Sequence, residues 1–269
     1  MKFETIQVAS NARIGTITFN RPDKLNAINR TLMAEVTQAL SAFNDDSEIL
    51  AIVVNGNGRA FSAGFDMKES SERGTPDLAQ WGNILKADFD FIMQFWDSPK
   101  PTIAAVHGYC LAGAFELALA CDVTIAAQGT RFGEPEVRFG SGIIAMLLPW
   151  VAGPKAAKEL LLTGTDDVDA ERALALGIVN NVVESGKQLE EAYRIAGAMA
   201  AAAPLSVQMT KRAINRSYDV MGLRSALFEG LNTDILIEAT GGPERAEFNH
   251  IRKEQGLKAA LKWRDERFA

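Results

Sequence analysis

Residues 102–142 read TIAAVHGYCLAGAFELALACDVTIAAQGTRFGEPEVRFGSG, and this stretch decides the fold. Thr102 to Val106 has the apolar composition of a strand buried on both faces. The chain turns through Gly108 and enters a helix near Ala112 whose residues are nearly all small or apolar. One carboxylate, Glu116, stands inside that run. A second, Glu136, follows Pro135 in a loop punctuated by glycine and proline. An ionisable group in an apolar helix is costly unless it is paired, neutralised or used. Two carboxylates in apolar surroundings suggest acid/base chemistry.

Working outward, Phe3 to Val8 and Ile14 to Phe19 alternate apolar and polar residues and read as a strand pair joined by SNAR. NRPDKLNAI is a turn around Pro22. Met33, Val36, Leu40 and Phe43 then recur at helical spacing, predicting a helix from about Thr31 to Phe43. Leu50 to Val54 is a short buried strand, followed by the glycine-rich loop GNGRAFSAGFD. Leu78, Trp81, Leu85, Phe89, Ile92 and Trp96 mark a long amphipathic helix ended by Pro99 and Pro101. Val123 to Ala126 is a further strand. Strands alternating with helices imply an α/β fold. From about Pro154 onward nearly everything reads as helix, and only Asn181 to Val183 looks like a strand.

The 269 residues suffice for one large domain, or a core with an appendage. A net charge of −6 without a basic run argues against nucleic acid as a partner, so an anionic ligand needs a local cluster of Lys and Arg. The two cysteines, Cys110 and Cys121, lie in the apolar stretch and read as buried thiols of a reduced cytosol. With two His and no CxxC or HExxH, no metal site is expected. The opening MKFETIQV reads as a strand rather than a signal peptide. The apolar run from Thr102 to Ala127 is broken by His107, Gly108, Glu116 and Asp122, so it reads as core rather than a membrane span. A cytoplasmic location is the expectation.

GYCLAGAFELALACD followed by FGEPE resembles the signature of the enoyl-CoA hydratase/isomerase family, also called the crotonase family. RAFSAGFDMK at 59–68 and NRPDKLNAI at 20–28 are similar to two further family segments. The resemblance implies a crotonase-like spiral of ββα units with a C-terminal helical region, divided here as 1–195, the core with the active site, and 196–269, which packs between subunits of a homotrimer or hexamer. It implies hydration of a 2-enoyl-CoA. Glu116 and Glu136 are then the catalytic pair, and the main-chain N–H groups of Phe65 and Gly113 the oxyanion hole. Lys24, Ala27, Ala63, Asp66, Met67 and Lys68 are the residues expected at the coenzyme A thioester. No cofactor is implied beyond the coenzyme A of the substrate.

Each residue also has a plainer reading. Glu116 fits a structural carboxylate bonded to main-chain N–H groups, and Glu136 a surface loop residue near Glu134 and Arg138. Gly113 fits close helix packing, and the 59–68 loop an ordinary turn. Arg21, Lys24, Arg59 and Lys68 fit solvated charges as well as phosphate partners. His107 fits a turn, and Ser62 with His107 carries no sign of a Ser-His-Asp triad. Phe65 stands where the family more often has Ala, which narrows the acyl pocket. Ile144 stands where a glycine is usual, so the helix after the loop is expected to start differently. Other reactions on the same scaffold, namely double-bond isomerisation, thioester hydrolysis and decarboxylation, remain open, as does a non-catalytic RNA-binding role.

Overall fold

The computed structural model describes residues 3–72, 74 and 76–268; Met1 and Lys2 of the opening stretch lie outside the described residues. β1 (Ile6–Asn11) and β2 (Ile14–Phe19) form an antiparallel hairpin. Its turn is only Ala12 and Arg13, both at positive φ, the backbone that a tight two-residue hairpin needs. The first strand therefore starts three residues later than the alternation from Phe3 suggested, and it consumes Ser10 and Asn11 of the expected loop.

After α1 (Arg30–Asp45) comes β3 (Ala51–Gly56), then α2 (Met67–Glu72) and α3 (Leu78–Asp97). β4 (Thr102–Val106) passes through His107 and Gly108 into β5 (Tyr109–Leu111) and α4 (Gly113–Ala120). β6 (Val123–Ala127) passes through residues 128–130 into β7 (Arg131–Gly133). α5 (Leu148–Val151), α6 (Gly153–Thr163), β8 (Val168–Asp169), α7 (Ala170–Ala175) and β9 (Asn181–Val183) follow. The first sheet has the order β1-β2-β3-β4-β6-β9, parallel from β2 onward; the second has the order β5-β7-β8. Each turn of the chain thus runs from the first sheet to the second and then into helix. The turn after β3 does the same with one residue: Ser62 bridges Cys110 in parallel.

The corner between β4 and β5 needs Gly108. Its φ is +61°, and a Cβ there would sit 2.0 Å from the Arg59 carbonyl oxygen. That close approach lets the Phe61 N–H reach the His107 oxygen at 2.8 Å and the Ser62 N–H reach the Tyr109 oxygen at 3.0 Å.

The first sheet is covered on both faces, which explains its nearly continuous apolar strands. Ile17, Phe19, Ile52, Val54, Ala104, Val106 and Ala126 face the main core with α1, α3 and α4. Ile14, Ala51, Val53, Ile103, Ala105 and Ile125 face Ala192 and Ala196 of α8 (Gln188–Ala201). Residues 195 and 196, the two sides of the expected division, are consecutive residues of this helix.

The tail continues with α9 (Pro204–Val220), α10 (Leu223–Thr240), α11 (Pro243–Gln255) and α12 (Leu257–Glu266). Buried Lys211 of α9 donates to Asp122 Oδ2 at 2.7 Å and to the Lys100 oxygen at 3.1 Å. Leu223, Leu227 and Leu231 of α10 enter the main core. Phe248 of α11 stacks on Phe139, 5.0 Å between centroids, in a satellite core with Ile251 and Ala260. Val168–Asp169 corrects the expectation of a single strand in the tail. It is a two-residue partner of β7, too short to show a period.

Candidate active site

Two main-chain segments meet at the start of α4. Ala112 precedes the helix with non-helical backbone and gives its N–H to the Gly133 oxygen at 2.8 Å. Gly113, as the first helical residue, has no intrahelical acceptor for its N–H. Opposite it, the Ile28 N–H donates to the Gly64 oxygen at 2.8 Å, and the Asp66 N–H donates to the Ile28 oxygen at 2.9 Å. In such a parallel bridge the intervening residue, Phe65, turns its own N–H away from Ile28. Among the described residues no internal hydrogen bond uses the N–H of Phe65 or Gly113. Gly64, at φ +86°, lets the segments touch: a Cβ there would lie 2.6 Å from Ala112 Cβ and 3.4 Å from the Gly113 nitrogen. The Phe65 ring covers Gly113, since a Cβ on Gly113 would meet ring carbon Cε2 at 2.3 Å. Phe91 meets the ring edge-on at 6.5 Å.

Glu116 lies one turn into α4 and is 2% exposed. Its carboxyl accepts the N–H groups of Ala145, at 3.0 Å, and Met146, at 3.2 Å. Met146 holds an unusual positive φ of 36° in that loop. Burial and then the charge of Glu136 push Glu116 up to about 8, against the pull of those two N–H groups. Glu136 opens a short 3-10 helix, Glu136–Phe139, after Pro135. Burial pushes it up to about 7, although its own N–H, the Glu134 carboxyl and Arg264 pull it down. Its Oε2 is buried without a partner. The structural-carboxylate and catalytic readings of Glu116 are thus compatible, and Glu136 does not fit a plain surface residue.

Glu134, which the sequence showed only as a loop neighbour, is 2% exposed and lies within charge range of Glu136. Burial, then the charges of Glu116 and Glu136, raise it well above the usual carboxylate range. Asp234 of α10 is a fourth buried carboxyl nearby, pushed up to about 8 chiefly by burial and by the charges of Glu238 and Glu136. Neither was legible, because each becomes part of the site only through tertiary contact.

The loop carrying Lys24 is tied to the Phe65 loop by a residue the sequence reading did not single out. Asn26, fully buried at positive φ, donates to the oxygens of Asn57 and Ala60, both at 2.8 Å, and accepts the Arg21 N–H. The Ala63 N–H reaches the Leu25 oxygen at 3.0 Å. Arg21 pairs with Asp66 at 3.0 Å and also donates to the Ala27 oxygen, so it is engaged within the loops. Asp66 caps the start of α2 by accepting the Lys68 N–H at 3.0 Å. Lys24, Arg59 and Lys68 are exposed on these loops, while Met67 is half-buried against the satellite core. The structure thus sets the Phe65 ring against Gly113, with Ala63, Asp66, Met67 and Lys68 flanking Phe65 in sequence and Ala27 next to Ile28, which bridges Phe65. Ser62 and His107 form no dyad: Ser62 Oγ donates to the Asn26 oxygen, and His107 Nε2 bonds the Gly58 oxygen. Both cysteines are buried and free. The helix following the acid loop starts at Leu148, beyond Ile144, and the intervening residues supply the N–H groups that hold Glu116.

A model of the enoyl-CoA hydratase/isomerase family matches residues 9–233. The chain is 37% identical, over 246 residues, to a probable enoyl-CoA hydratase of Mycobacterium tuberculosis, covering 86% of this chain and 87% of that protein. It is 34% identical to a crotonyl-CoA hydratase of Syntrophomonas wolfei, covering 87% and 85%. Among solved structures it resembles an enoyl-CoA hydratase/isomerase from Xanthobacter autotrophicus, with a TM-score of 0.98, 45% identity and 100% of both chains covered.

Proposed function

Because the chain belongs to the enoyl-CoA hydratase/isomerase family, we propose that it adds water across the 2,3 double bond of a 2-enoyl-CoA to give the 3-hydroxyacyl-CoA, and catalyses the reverse. The observation that carries this reading is the pairing of two carboxyls raised well above the ordinary range, buried Glu116 and half-buried Glu136, with two free N–H groups, of Phe65 and Gly113, on adjoining segments.

The thioester oxygen accepts both N–H groups, so charge that develops on it meets donors already in place, one of them at the positive end of α4. Glu116 orients a water and takes its proton as the water oxygen bonds to the β carbon. Glu136 gives a proton to the α carbon. One carboxyl must be ionised and the other protonated. Near neutral pH the coupled pair suits this need, because raising both groups leaves about one proton shared between them. The main-chain bonds from Ala145 and Met146 oppose the burial that raises Glu116, and its assignment as base follows the family resemblance.

Lys24 and Lys68 are suited to the coenzyme A phosphates, with Ala27, Ala63, Asp66 and Met67 shaping the thioester channel between them. No cofactor enters this scheme. Exposed Leu205, Met209, Ile214 and Val220 on α9 suit burial between subunits of a homotrimer or a hexamer, with 196–269 as the oligomerisation region. Among the described residues no helix is long and apolar enough to cross a membrane, and the reading is of a cytoplasmic enzyme. The test is loss of conjugated-thioester absorbance across a panel of enoyl-CoAs. Turnover of at least one, yielding the 3-hydroxy product, is the expected result. Isomerised or hydrolysed product without the hydroxy thioester would transfer the reading to another reaction of the family.

A further inference from the structure

Helix α10 lays one stripe of residues, four apart, along the loop that holds Glu116. Gly230 faces Met146: a Cβ on Gly230 would lie 3.3 Å from Met146 Cβ. Asp234 faces Gly142: a Cβ on Gly142 would meet Asp234 Oδ1 at 2.1 Å. Glu238 accepts the Ser141 hydroxyl and pairs with Arg245. The two acids of this stripe have opposite fates. Glu238 is paired twice. Asp234 is 2% exposed, and neither of its carboxyl oxygens has a hydrogen-bond partner. Nearby cations are engaged elsewhere, Arg30 with Asp88 at 2.9 Å and Arg245 with Glu238.

A buried carboxyl without a partner is a large penalty that an apolar residue at the same position would avoid. The penalty is removed when a ligand supplies the missing hydrogen bond. Asp234 packs on Gly142, in the loop whose Ala145 and Met146 N–H groups hold Glu116, and an acyl chain running along that loop from a thioester reacting at Glu116 would reach it. We propose that Asp234 recognises a hydrogen-bonding substituent on the acyl chain, so that the preferred substrate carries a hydroxyl or amide N–H beyond the reacting double bond. This extends the hydratase reading from the thioester to the acyl end and rests on it. A carboxylate tail is disfavoured, since Glu116, Glu136, Glu238 and Asp88 surround the position with acid.

The experiment compares kcat/KM for matched pairs: crotonyl-CoA against 4-hydroxycrotonyl-CoA, and hex-2-enoyl-CoA against its 6-hydroxy analogue, with a carboxylate-tailed hexenoyl-CoA as a third arm. At least one hydroxylated member is expected to be preferred by about tenfold or more, the scale of satisfying a buried polar group. Asp234→Leu brings the two members of that pair together, whereas Asp234→Asn, which keeps an acceptor, retains most of the preference. Calorimetry with the saturated hexanoyl and 6-hydroxyhexanoyl thioesters reads the same preference without turnover. Equal kinetics within threefold for both pairs in the wild-type protein would overturn the proposal, as would Asp234→Leu slowing both members alike. Preferential binding of the hydroxylated analogue without turnover of any enoyl-CoA would remove the hydratase reading and leave the recognition standing. Turnover with no preference would do the reverse. Should Asp234→Leu fail to fold, the wild-type comparison and Asp234→Asn decide the matter.

Discussion

Gly113→Ala tests the contact between the two proposed oxyanion donors. The new methyl would sit 2.3 Å and 2.5 Å from Phe65 Cε2 and Cδ2, where ordinary contact needs more than a further ångström. The backbone is helical there, so Ala itself is acceptable and contributes up to about 1 kcal/mol of helix preference. Against this, overpacking costs about 1–3 kcal/mol, because the ring, edge-on to Phe91 at 6.5 Å, must move to admit the methyl. The net expectation is a loss of about 1–2 kcal/mol in urea unfolding. A donor displaced by about an ångström also costs roughly a hundredfold in kcat/KM with an enoyl-CoA. In a Phe65→Ala background the obstacle is gone, so the same Gly113→Ala change becomes neutral or stabilising. A double-mutant cycle should therefore show a coupling of about 2 kcal/mol between the two positions. Equal destabilisation by Gly113→Ala in both backgrounds would refute the placement of the ring over Gly113.

The remaining predictions concern pH and the loop anchor. Glu116 and Glu136 hold protons in the folded chain up to about 8 and about 7, while in the unfolded chain they titrate near 4.5. Between those values the folded state binds more protons, so stability falls as pH rises from about 4.5 through 7–8 and then levels. Thermal unfolding between pH 5 and 9 should show a decline of several kcal/mol, about 1.4 kcal/mol for each unit of pKa difference, and Glu116→Gln should remove roughly half of it. A slope unchanged by that substitution would count against the buried-acid account. Asn26→Ala removes the donor shared by the Asn57 and Ala60 oxygens and should cost about 2 kcal/mol. It should also raise KM more than it lowers kcat, because it frees the loop bearing Lys24; an unchanged KM would separate that loop from coenzyme A.

The long elements were legible because their residues repeat a period many times. α3 carries its apolar face from Leu85 to Phe95, and Thr102–Val106 is strand at both of its expected ends. The second sheet was hidden because its strands have two or three residues, too few for alternation, and Tyr109 at its edge is exposed. Glu116 stood out locally as a charge in an apolar helix. Glu136 needed the motif around it, since its own neighbours are Val137 and Pro135. Asp234 sits in a helix whose apolar residues do not keep to one face, and nothing near it in sequence reveals that it packs on Gly142. Asn26 reads as a turn residue until its side chain is seen to bind two carbonyls 31 and 34 residues away.

The two-carboxylate account is tested most directly by turnover and α-proton exchange in Glu116→Gln and Glu136→Gln, with whichever enoyl-CoA the wild-type protein hydrates fastest. Glutamine keeps the size of the side chain, so folding and thioester affinity should change little. Each variant is predicted to lose hydratase turnover by about a hundredfold or more, and only Glu136→Gln is predicted to abolish exchange of the product's α proton with solvent. The double variant should lose less than the product of the single losses, because both groups act in one transition state. Full turnover in Glu116→Gln alongside a dead Glu136→Gln would contradict hydration by this pair and leave a one-carboxylate reaction in its place.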